Sequence, residues 1–365
     1  PTASLGATPA APGRTTASVQ STLAFAALKS DGSVVTWGDS GLGGDSSSVT
    51  SSLASGVNQV ISTTQAFAAL KNDGSVVTWG DANSGGDSST VASRLASGVV
   101  RIFAAGYAFA ALKNDGSVVT WGSINSGGNS SAVAGSLASG VTRIFATTNA
   151  FAALKSDGSV VTWGSSSYGG DSTSVSASLA SGVAQISSTG AAFAALKSNG
   201  SVVTWGSNTY GGNSSSVSGS LTSGVTQVFS TSQAFAALKS DGSVVTWGSN
   251  TYGGNSSTVS ASLTSGVTQI FSTDYAFAAL KTGGSVVTWG LYGGDSSTVA
   301  SRLTSGVTQI FATEYAFAAL KSDGSVVTWG ADGGDSSTVA SQLASGVTQI
   351  FSTASAFAAL KTDGS

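Results

Sequence analysis

The chain has 365 residues, of which 8% are charged, and its net charge is −3. The charged fraction is far below the roughly 25% of an average soluble domain, and the small net charge is not the basic footprint of a nucleic-acid-binding protein. The chain has no His, Cys or Met, which excludes disulfides and thiolate sites. No apolar run approaches the roughly 20 residues that a membrane-spanning helix needs.

Residues 1–15 contain all three prolines and stand outside the pattern that governs the rest of the chain. The chain starts at Pro1 without a Met, and no charged-then-apolar signal segment is visible. We expect residues 1–15 to be a linker or the edge of a processed precursor. Residues 16–365 are then a single repeat domain, which could belong to a longer repeat protein.

A 42-residue unit recurs along residues 16–365, marked by the segment Phe-Ala-Ala-Leu-Lys. The spacing is 42 residues six times and then 40 residues twice. A Trp follows each of the first eight copies of the segment. Periods of this size are typical of propellers, solenoids and other repeat arrays. The segments start at Phe25, Phe67, Phe109, Phe151, Phe193, Phe235, Phe277, Phe317 and Phe357.

One unit, residues 57–98, shows the predicted elements in order. Residues 57–62, 66–71 and 75–80 are apolar and β-branched enough for three strands. Asp73-Gly74 between the second and third strands predicts a hairpin with a type I′ turn. A polar loop follows Trp79, and residues 90–95 then return the chain as a short outer strand or as one helical turn.

The second and third strands are apolar on both faces, since residues alternate sides along a strand. A two-layer sandwich would leave the outer faces polar, whereas stacked blades cover both faces. We therefore predict an all-β propeller of about eight blades, with seven or nine blades or an open superhelical array as alternatives. The predicted core positions include Ile102, Phe109, Leu112, Val119 and Trp121.

The unit resembles the repeat of the regulator of chromosome condensation family, and most closely its short bacterial type, which includes a secreted β-lactamase inhibitor protein. The resemblance implies radially arranged blades and a choice of inhibitor, ubiquitin-ligase or scaffold roles. Family members that exchange guanine nucleotide on a small GTPase carry an insertion that this chain lacks, so exchange activity is the least supported role. The residues that carry the resemblance are Ala69-Leu70-Lys71, Asp73-Gly74, Val76, Trp79-Gly80 and Ser97-Gly98-Val99.

The residue types present do not suggest an enzyme. Without His and Cys the usual nucleophile–base pairs cannot form, and the carboxylates recur in every unit rather than at one special place. We therefore expect no catalytic residues, no cofactor and no metal site. The repeated Gly-Gly-Asp loop offers one acid, which is too few for calcium, and we expect its Asp or Asn to cap the next turn.

The units differ from one another mainly at two places. One is the turn before each Phe, such as Thr64-Gln65, Asp274-Tyr275 and Glu314-Tyr315, and the other is the loop after each Trp-Gly. An up-down-up strand path puts both places on one edge of the blades and the Asp-Gly turns on the opposite edge. All seven tyrosines fall in the variable places: Tyr107, Tyr168, Tyr210, Tyr252, Tyr275, Tyr292 and Tyr315.

Because Tyr is favoured at binding surfaces, we predict that these seven residues bind a partner. The predicted function is a non-enzymatic protein-binding or structural scaffold, whose partner is another protein or a larger assembly. The alternative is a lectin-like propeller that binds a glycan. The low charge and the Ser, Thr and Gly content favour an extracellular, cell-surface or lumenal location.

Overall fold

The computed structural model describes residues 17–365, with side chains from residue 21 onward. The predicted linker, residues 1–15, lies outside this part of the chain. The chain divides into two compact units, with the boundary in the sequence between Ala191 and Ala192. Each unit is built from small antiparallel sheets in which the strands lie side by side in chain order.

The first unit contains four three-stranded sheets and one further strand, β13. The register within each sheet repeats: Phe67 lies opposite Trp79, just as Phe109 lies opposite Trp121. The strands are β1 Ala17–Gln20, β2 Ala24–Leu28, β3 Val34–Gly38, β4 Val57–Ser62, β5 Ala66–Lys71, β6 Val76–Gly80, β7 Val99–Ala104, β8 Ala108–Lys113, β9 Val118–Gly122, β10 Val141–Ala146, β11 Ala150–Lys155, β12 Val160–Gly164 and β13 Val183–Ser188.

The second unit opens with the hairpin β14–β15, continues with three three-stranded sheets and ends with the hairpin β25–β26. Its strands are β14 Ala192–Lys197, β15 Val202–Gly206, β16 Val225–Ser230, β17 Ala234–Lys239, β18 Val244–Gly248, β19 Val267–Ser272, β20 Ala276–Lys281, β21 Val286–Gly290, β22 Val307–Ala312, β23 Ala316–Lys321, β24 Val326–Gly330, β25 Val347–Ser352 and β26 Phe357–Lys361.

The segments that return the chain between sheets are helical. Of the two predicted alternatives, one helical turn is therefore correct and a short outer strand is wrong. They contain α1 Thr50–Leu53, α2 Ala92–Leu95 and α3 Ser176–Leu179, none of which exceeds four residues. Among the residues that the structure describes, no helix is long and apolar enough to cross a membrane. The 3-10 segments are Ser40–Leu42, Ser47–Val49, Ala82–Ser84, Ser89–Val91, Ile124–Ser126, Ser131–Val133, Ser166–Tyr168, Thr173–Val175, Asn208–Tyr210, Ser215–Leu221, Asn250–Tyr252, Ser257–Leu263, Tyr292–Gly294, Ser297–Arg302, Ser337–Val339 and Gln342–Ala344.

The hairpin turn differs from the predicted type I′ turn. That type needs a positive φ at both central residues, but only Gly74 has one, at +78°. Asp73 instead uses its carboxylate, which accepts hydrogen bonds from the backbone N–H of Ser75 at 2.9 Å and from its hydroxyl at 2.6 Å. The type I′ prediction is therefore wrong, because the side chain of Asp73 closes the turn from an ordinary backbone conformation.

Neighbouring sheets cover each other through one repeated contact. The rings of Phe67 and Trp79 stack with centroids 5.3 Å apart, and both side chains are buried. The indole N–H of Trp79 donates to the carbonyl of Gly43, in the loop of the preceding sheet, at 3.0 Å. A Cβ on Gly43 would lie 2.5 Å from the ring of Phe67, so only glycine fits there. The same bond recurs at 3.0 Å for Trp121, Trp163, Trp247, Trp289 and Trp329, so it locks a sheet to the loop that precedes it.

All five predicted core residues, from Ile102 to Trp121, are buried, with exposed fractions of 7% or less. The all-β class and the repeated blades of three antiparallel strands are confirmed. The number of blades stays a prediction.

Candidate functional site

The two ends of the strands form two different edges of every sheet. We call the turns before each Phe-Ala-Ala-Leu-Lys segment, together with the loops after each Trp-Gly, the variable edge, represented by residues 63–65 and 81–84. The opposite end, made by the Asp-Gly turns such as residues 72–75, is the uniform edge. Direct contacts join the two parts of the variable edge, because the hydroxyl of Thr63 donates to the carbonyl of Ser84 at 3.0 Å.

A ladder of backbone hydrogen bonds runs along the variable edge within each unit. The N–H of one turn donates to the carbonyl of the equivalent residue in the next sheet, so the turns stack in register. In the first unit the ladder joins Thr22, Thr64, Gly106, Thr148 and Gly190, and in the second it joins Ser232, Asp274, Glu314 and Ala354, with N···O distances of 2.7 to 3.1 Å. We call each of these ladder residues a rung. The residue that follows a rung therefore recurs at a regular interval along the variable edge.

The predicted site residues in the first unit are Tyr107 and Tyr168. Tyr107 follows the rung at Gly106 and is 37% exposed. Tyr168 ends a 3-10 segment in a post-Trp loop, is partly buried, and its carbonyl accepts a hydrogen bond from the hydroxyl of Thr147 at 2.9 Å. Both residues lie on the variable edge, as predicted from the strand path.

In the second unit the structure brings four predicted tyrosines into one cluster. Tyr275 stacks on Tyr252 with centroids 5.0 Å apart and on Tyr315 with centroids 5.2 Å apart. Tyr292 meets the rings of Tyr275 and Tyr315 edge-on, at 5.1 and 5.8 Å. We call Tyr252, Tyr275, Tyr292 and Tyr315 the tyrosine cluster. Tyr210, in the preceding loop, packs against the apolar core instead.

Two carboxylates lie beside the tyrosine cluster on consecutive rungs of the ladder. The N–H of Asp274 donates to the carbonyl of Glu314 at 3.1 Å. Burial raises the pKa of the Asp274 carboxyl, and the negative charge of Glu314 raises it further. Burial also raises the pKa of Tyr275, with a contribution from its hydrogen bond to Tyr315. The sequence analysis did not assign Asp274 and Glu314 a role, although every other rung carries an uncharged residue.

Tyr292 has an unusual backbone. Its φ is +54°, and it is the one non-glycine residue with a positive φ in the described part of the chain. It lies in a loop two residues shorter than that around Tyr252, and its side chain is 48% exposed. Non-glycine residues in this conformation carry strain that is often found at functional sites. The shortened loop therefore holds the ring of Tyr292 against its neighbours at a cost in backbone energy.

The repeated Gly-Gly-Asp loops act as structural caps. The carboxylate of Asp87 accepts a hydrogen bond from the N–H of Ser89 at 2.8 Å, and the amide oxygen of Asn129 accepts one from Ser131 at 2.9 Å. The capping prediction is thus confirmed. Within residues 17–365, no three His, Cys, Asp or Glu residues lie close enough together to hold a metal ion.

An open groove of about 610 Å³ lies between two post-Trp loops of the second unit, lined in part by Asn250, Thr288 and Leu291. Asp295 is the single carboxylate among its lining residues, and it accepts a hydrogen bond from the N–H of Ser297 at 2.9 Å.

Comparison with known proteins gives a family match to two of the repeats. The family model for the regulator of chromosome condensation (RCC1) repeat matches residues 183–211 and 225–253. No curated protein matches the chain. These two segments are RCC1-like repeats, in agreement with the resemblance seen in the sequence.

Several solved structures are similar to the chain at low identity. Prp20p from Saccharomyces cerevisiae is 14% identical with a TM-score of 0.37, and the match covers 65% of this chain and 72% of Prp20p. Human WBSCR16 is 20% identical with a TM-score of 0.36, over 53% of this chain and 62% of that protein. The computationally designed Ika8 protein is 13% identical with a TM-score of 0.35, over 86% of this chain and 95% of Ika8.

Proposed function

We propose that this chain is a non-enzymatic, protein-binding scaffold that contacts its partner through the variable edge. The observation that carries the proposal is the tyrosine cluster, because four of the seven tyrosines meet at one place on an otherwise repetitive molecule. Tyrosine offers a large, stiff and amphipathic contact area at little cost in conformational entropy. A partner that docks there would bury rings whose positions are already fixed by stacking.

The contrast between the two edges supports the same function. The uniform edge repeats one set of hydrogen bonds, with Asp73, Asp157 and Asp241 each accepting from the serine two residues later. The variable edge carries residues that the stacked fold does not require to be identical. Surface loops on a rigid scaffold are where binding residues concentrate. We assign the uniform edge to structure and the variable edge to recognition.

We further propose that the chain belongs to the short bacterial type of RCC1-like protein. We also propose that its location is extracellular, cell-surface or lumenal. The low charge and the Ser-, Thr- and Gly-rich composition support such a location. Four sequons for N-glycosylation, at Asn129, Asn199, Asn213 and Asn255, are exposed. Attachment of glycans to them can be measured after the chain is secreted from a eukaryotic host. Export of the chain from its native source, measured by cell fractionation, would support the location, and retention in the cytosol would contradict it.

Affinity capture from native extract tests the scaffold function. The wild-type chain and the variant Tyr275→Ser/Tyr292→Ser/Tyr315→Ser serve as baits, and bound proteins are quantified by mass spectrometry. We expect the variant to lose the partner while its circular dichroism and unfolding midpoint stay close to those of the wild type. Retention of the same partners by the variant would contradict the proposal.

The matched control changes the uniform edge at three places: Asp157→Asn, Asp241→Asn and Asp323→Asn. Asn is tolerated there because Asn199 already accepts the same two hydrogen bonds, from the N–H of Ser201 at 3.0 Å and from its hydroxyl at 2.7 Å. We expect this control to keep the partner. Loss of the partner from the control alone would move the contact surface to the uniform edge.

A glycan-binding function is the alternative, and the tyrosines would serve it as stacking platforms. A lectin with one site per blade would repeat that site, whereas the tyrosine cluster occurs once within the described residues. A glycan array separates the two functions, since specific binding that depends on Tyr275 would favour the lectin.

A further inference from the structure

The tyrosine cluster and its two carboxylates carry a second inference, which rests on the proposed function and names the chemistry of the partner. Asp274 and Glu314 occupy consecutive rungs of the ladder, with a backbone hydrogen bond of 3.1 Å between them. Neither forms an ion pair with a Lys or Arg among the described residues. Among the described residues, two like charges therefore lie together without a Lys or Arg partner, and they leave a local excess of negative charge.

The position of these charges is specific to this part of the molecule. The same rung is Thr64 or Thr148 in the first unit and Ser232 or Ala354 in the second. Each of the two acids directly precedes a member of the tyrosine cluster, Tyr275 or Tyr315. Charge and aromatic surface therefore change together on two consecutive sheets.

The rings provide the second half of a cation site. The face of an aromatic ring attracts a positive charge within about 6 Å of its centroid, and a guanidinium can lie on the ring while its N–H groups donate to a carboxylate. This chain already uses that contact, since the guanidinium carbon of Arg101 lies 5.9 Å from the ring centroid of Phe103 and that of Arg143 lies 5.7 Å from Phe145.

We propose that the tyrosine cluster, with Asp274 and Glu314, binds a positively charged side chain, arginine or lysine, presented by the partner protein. The cation packs on the tyrosine rings and donates charge-assisted hydrogen bonds to the two carboxylates. Tyr292, 48% exposed, forms the outer wall of the site. Binding a cation relieves the repulsion between Asp274 and Glu314, which gives the site a preference for charge over a neutral ligand of the same shape.

Fluorescence anisotropy at low ionic strength tests the site with defined probes. The probe is a fluorescein-labelled peptide of alternating glycine and arginine, and its counterpart replaces arginine with citrulline, which keeps the shape but removes the charge. We expect the arginine peptide to bind at least about ten-fold more tightly than the citrulline peptide. We also expect added salt to weaken binding, because the charges are partly exposed to solvent. Equal binding of the two peptides, or no binding of either, would overturn the inference.

Two double variants with the same change in net charge locate the site. Asp274→Asn/Glu314→Gln should weaken binding of the arginine peptide by about ten-fold or more. Asp241→Asn/Asp323→Asn, on the uniform edge of the same unit, should leave it unchanged. Equal loss in both variants would show that the peptide responds to net charge alone, and would contradict the proposed site.

The outcomes also separate this inference from the proposed function. If the captured partner depends on the tyrosines but not on Asp274 and Glu314, the variable edge is the contact surface and the cation inference is wrong. If the arginine peptide binds at the cluster but no partner depends on the tyrosines, the cation site stands and the scaffold function is wrong. Glycan binding that needs Tyr275, without binding of the arginine peptide, would contradict the inference.

Discussion

The variable edge and the uniform edge belong to the same strands but obey different constraints. At the uniform edge, the Asp-Gly turn packs against the start of the first strand of the next sheet, as when the N–H of Val99 in β7 donates to the carbonyl of Gly74 at 3.0 Å. Where the turn carries Asp or Asn, that side chain closes it with the same bond, as Asp73 and Asn199 do. At the variable edge, backbone atoms make the ladder, so a rung keeps its bond whatever its side chain; a hydroxyl such as that of Thr64 only adds a second bond, to the carbonyl of Gly106 at 2.7 Å.

This difference teaches where a repeat protein can change its surface without losing its fold. Backbone hydrogen bonds are independent of side-chain identity, and the rungs of the ladder are therefore occupied by Thr, Gly, Ser, Asp and Glu alike. The acids and tyrosines of the second unit use this freedom. Three predictions, ordered by the size of the expected effect, can break or sharpen the comparison.

The largest effect on stability is expected at the buried tryptophans whose indole N–H donates to the post-Trp loop of the preceding sheet. Trp121 is 2% exposed, and its indole N–H donates to the carbonyl of Gly85 at 3.0 Å. Trp121→Ala should lower the free energy of unfolding by about 3–5 kcal/mol, because it leaves a cavity and an unpaired carbonyl. Chemical denaturation measures the loss.

The matched control is Trp37, which stacks on Phe25 at the same 5.3 Å that separates Phe67 from Trp79 but is 46% exposed. Trp37→Ala should cost no more than about 1.5 kcal/mol, close to the value of an aromatic pair. Equal losses for Trp37 and Trp121 would show that cover from the neighbouring sheet is not the source of the stability.

The next effect is expected at the glycines of the uniform edge. Gly116 has a φ of +77°, and a Cβ there would lie 2.7 Å from the backbone nitrogen of Gly140. Gly116→Ala should therefore lower the free energy of unfolding by at least about 1–3 kcal/mol through backbone strain and this clash. Gly135, whose Cβ would meet nothing within 4 Å, is the control. Gly135→Ala should be neutral or raise stability by up to about 1 kcal/mol. Similar effects at both positions would contradict the assignment of the uniform edge to structure.

The smallest effect is a pH dependence that has opposite signs at the two edges. At the uniform edge, the hydroxyl and the N–H of Ser33 donate to Asp31 and lower its pKa from 3.8 to about 2. This contribution to stability is complete above pH 3.8 and is lost as the pH falls towards 2. At the variable edge, burial and Glu314 raise the pKa of Asp274, so its ionised form weakens the fold at neutral pH.

Unfolding measured across the acid range checks both signs. Asp274→Asn should stabilise the chain near neutral pH, and the gain should disappear as the pH falls below the ordinary value of 3.8, where the carboxyl is protonated in both states. Asp31→Asn should not stabilise the chain at neutral pH. A loss of stability in Asp274→Asn at neutral pH would contradict the account of the acidic pair.

Much of the fold follows from the sequence because its causes are local. Alternating apolar residues in the Phe-Ala-Ala-Leu-Lys strands predict two covered faces, and Phe109 and Trp121 are both buried. The turn type could not be predicted in the same way. Asp tolerates both signs of φ, and the choice depends on the hydrogen bonds that the carboxylate makes with Ser75.

The candidate site could be predicted only in part. The strand path predicts which edge carries the tyrosines, and that follows from sequence order. The meeting of Tyr252 with Tyr275 depends on how one sheet packs against the next, which sequence order does not contain. The acids at Asp274 and Glu314 were visible as departures from the repeat. Their proximity depends on the ladder that stacks the two turns, and the sequence order does not contain that ladder.

Hydrogen exchange of the chain with and without its captured partner tests the central claim most directly, because one experiment reads both edges of the same blades. We predict slower exchange in the complex at residues 274–275, 291–292 and 314–315 of the variable edge. Exchange at the turns 241–242, 283–284 and 323–324 of the uniform edge should be unchanged. Protection of the uniform edge without protection of the variable edge would contradict the account.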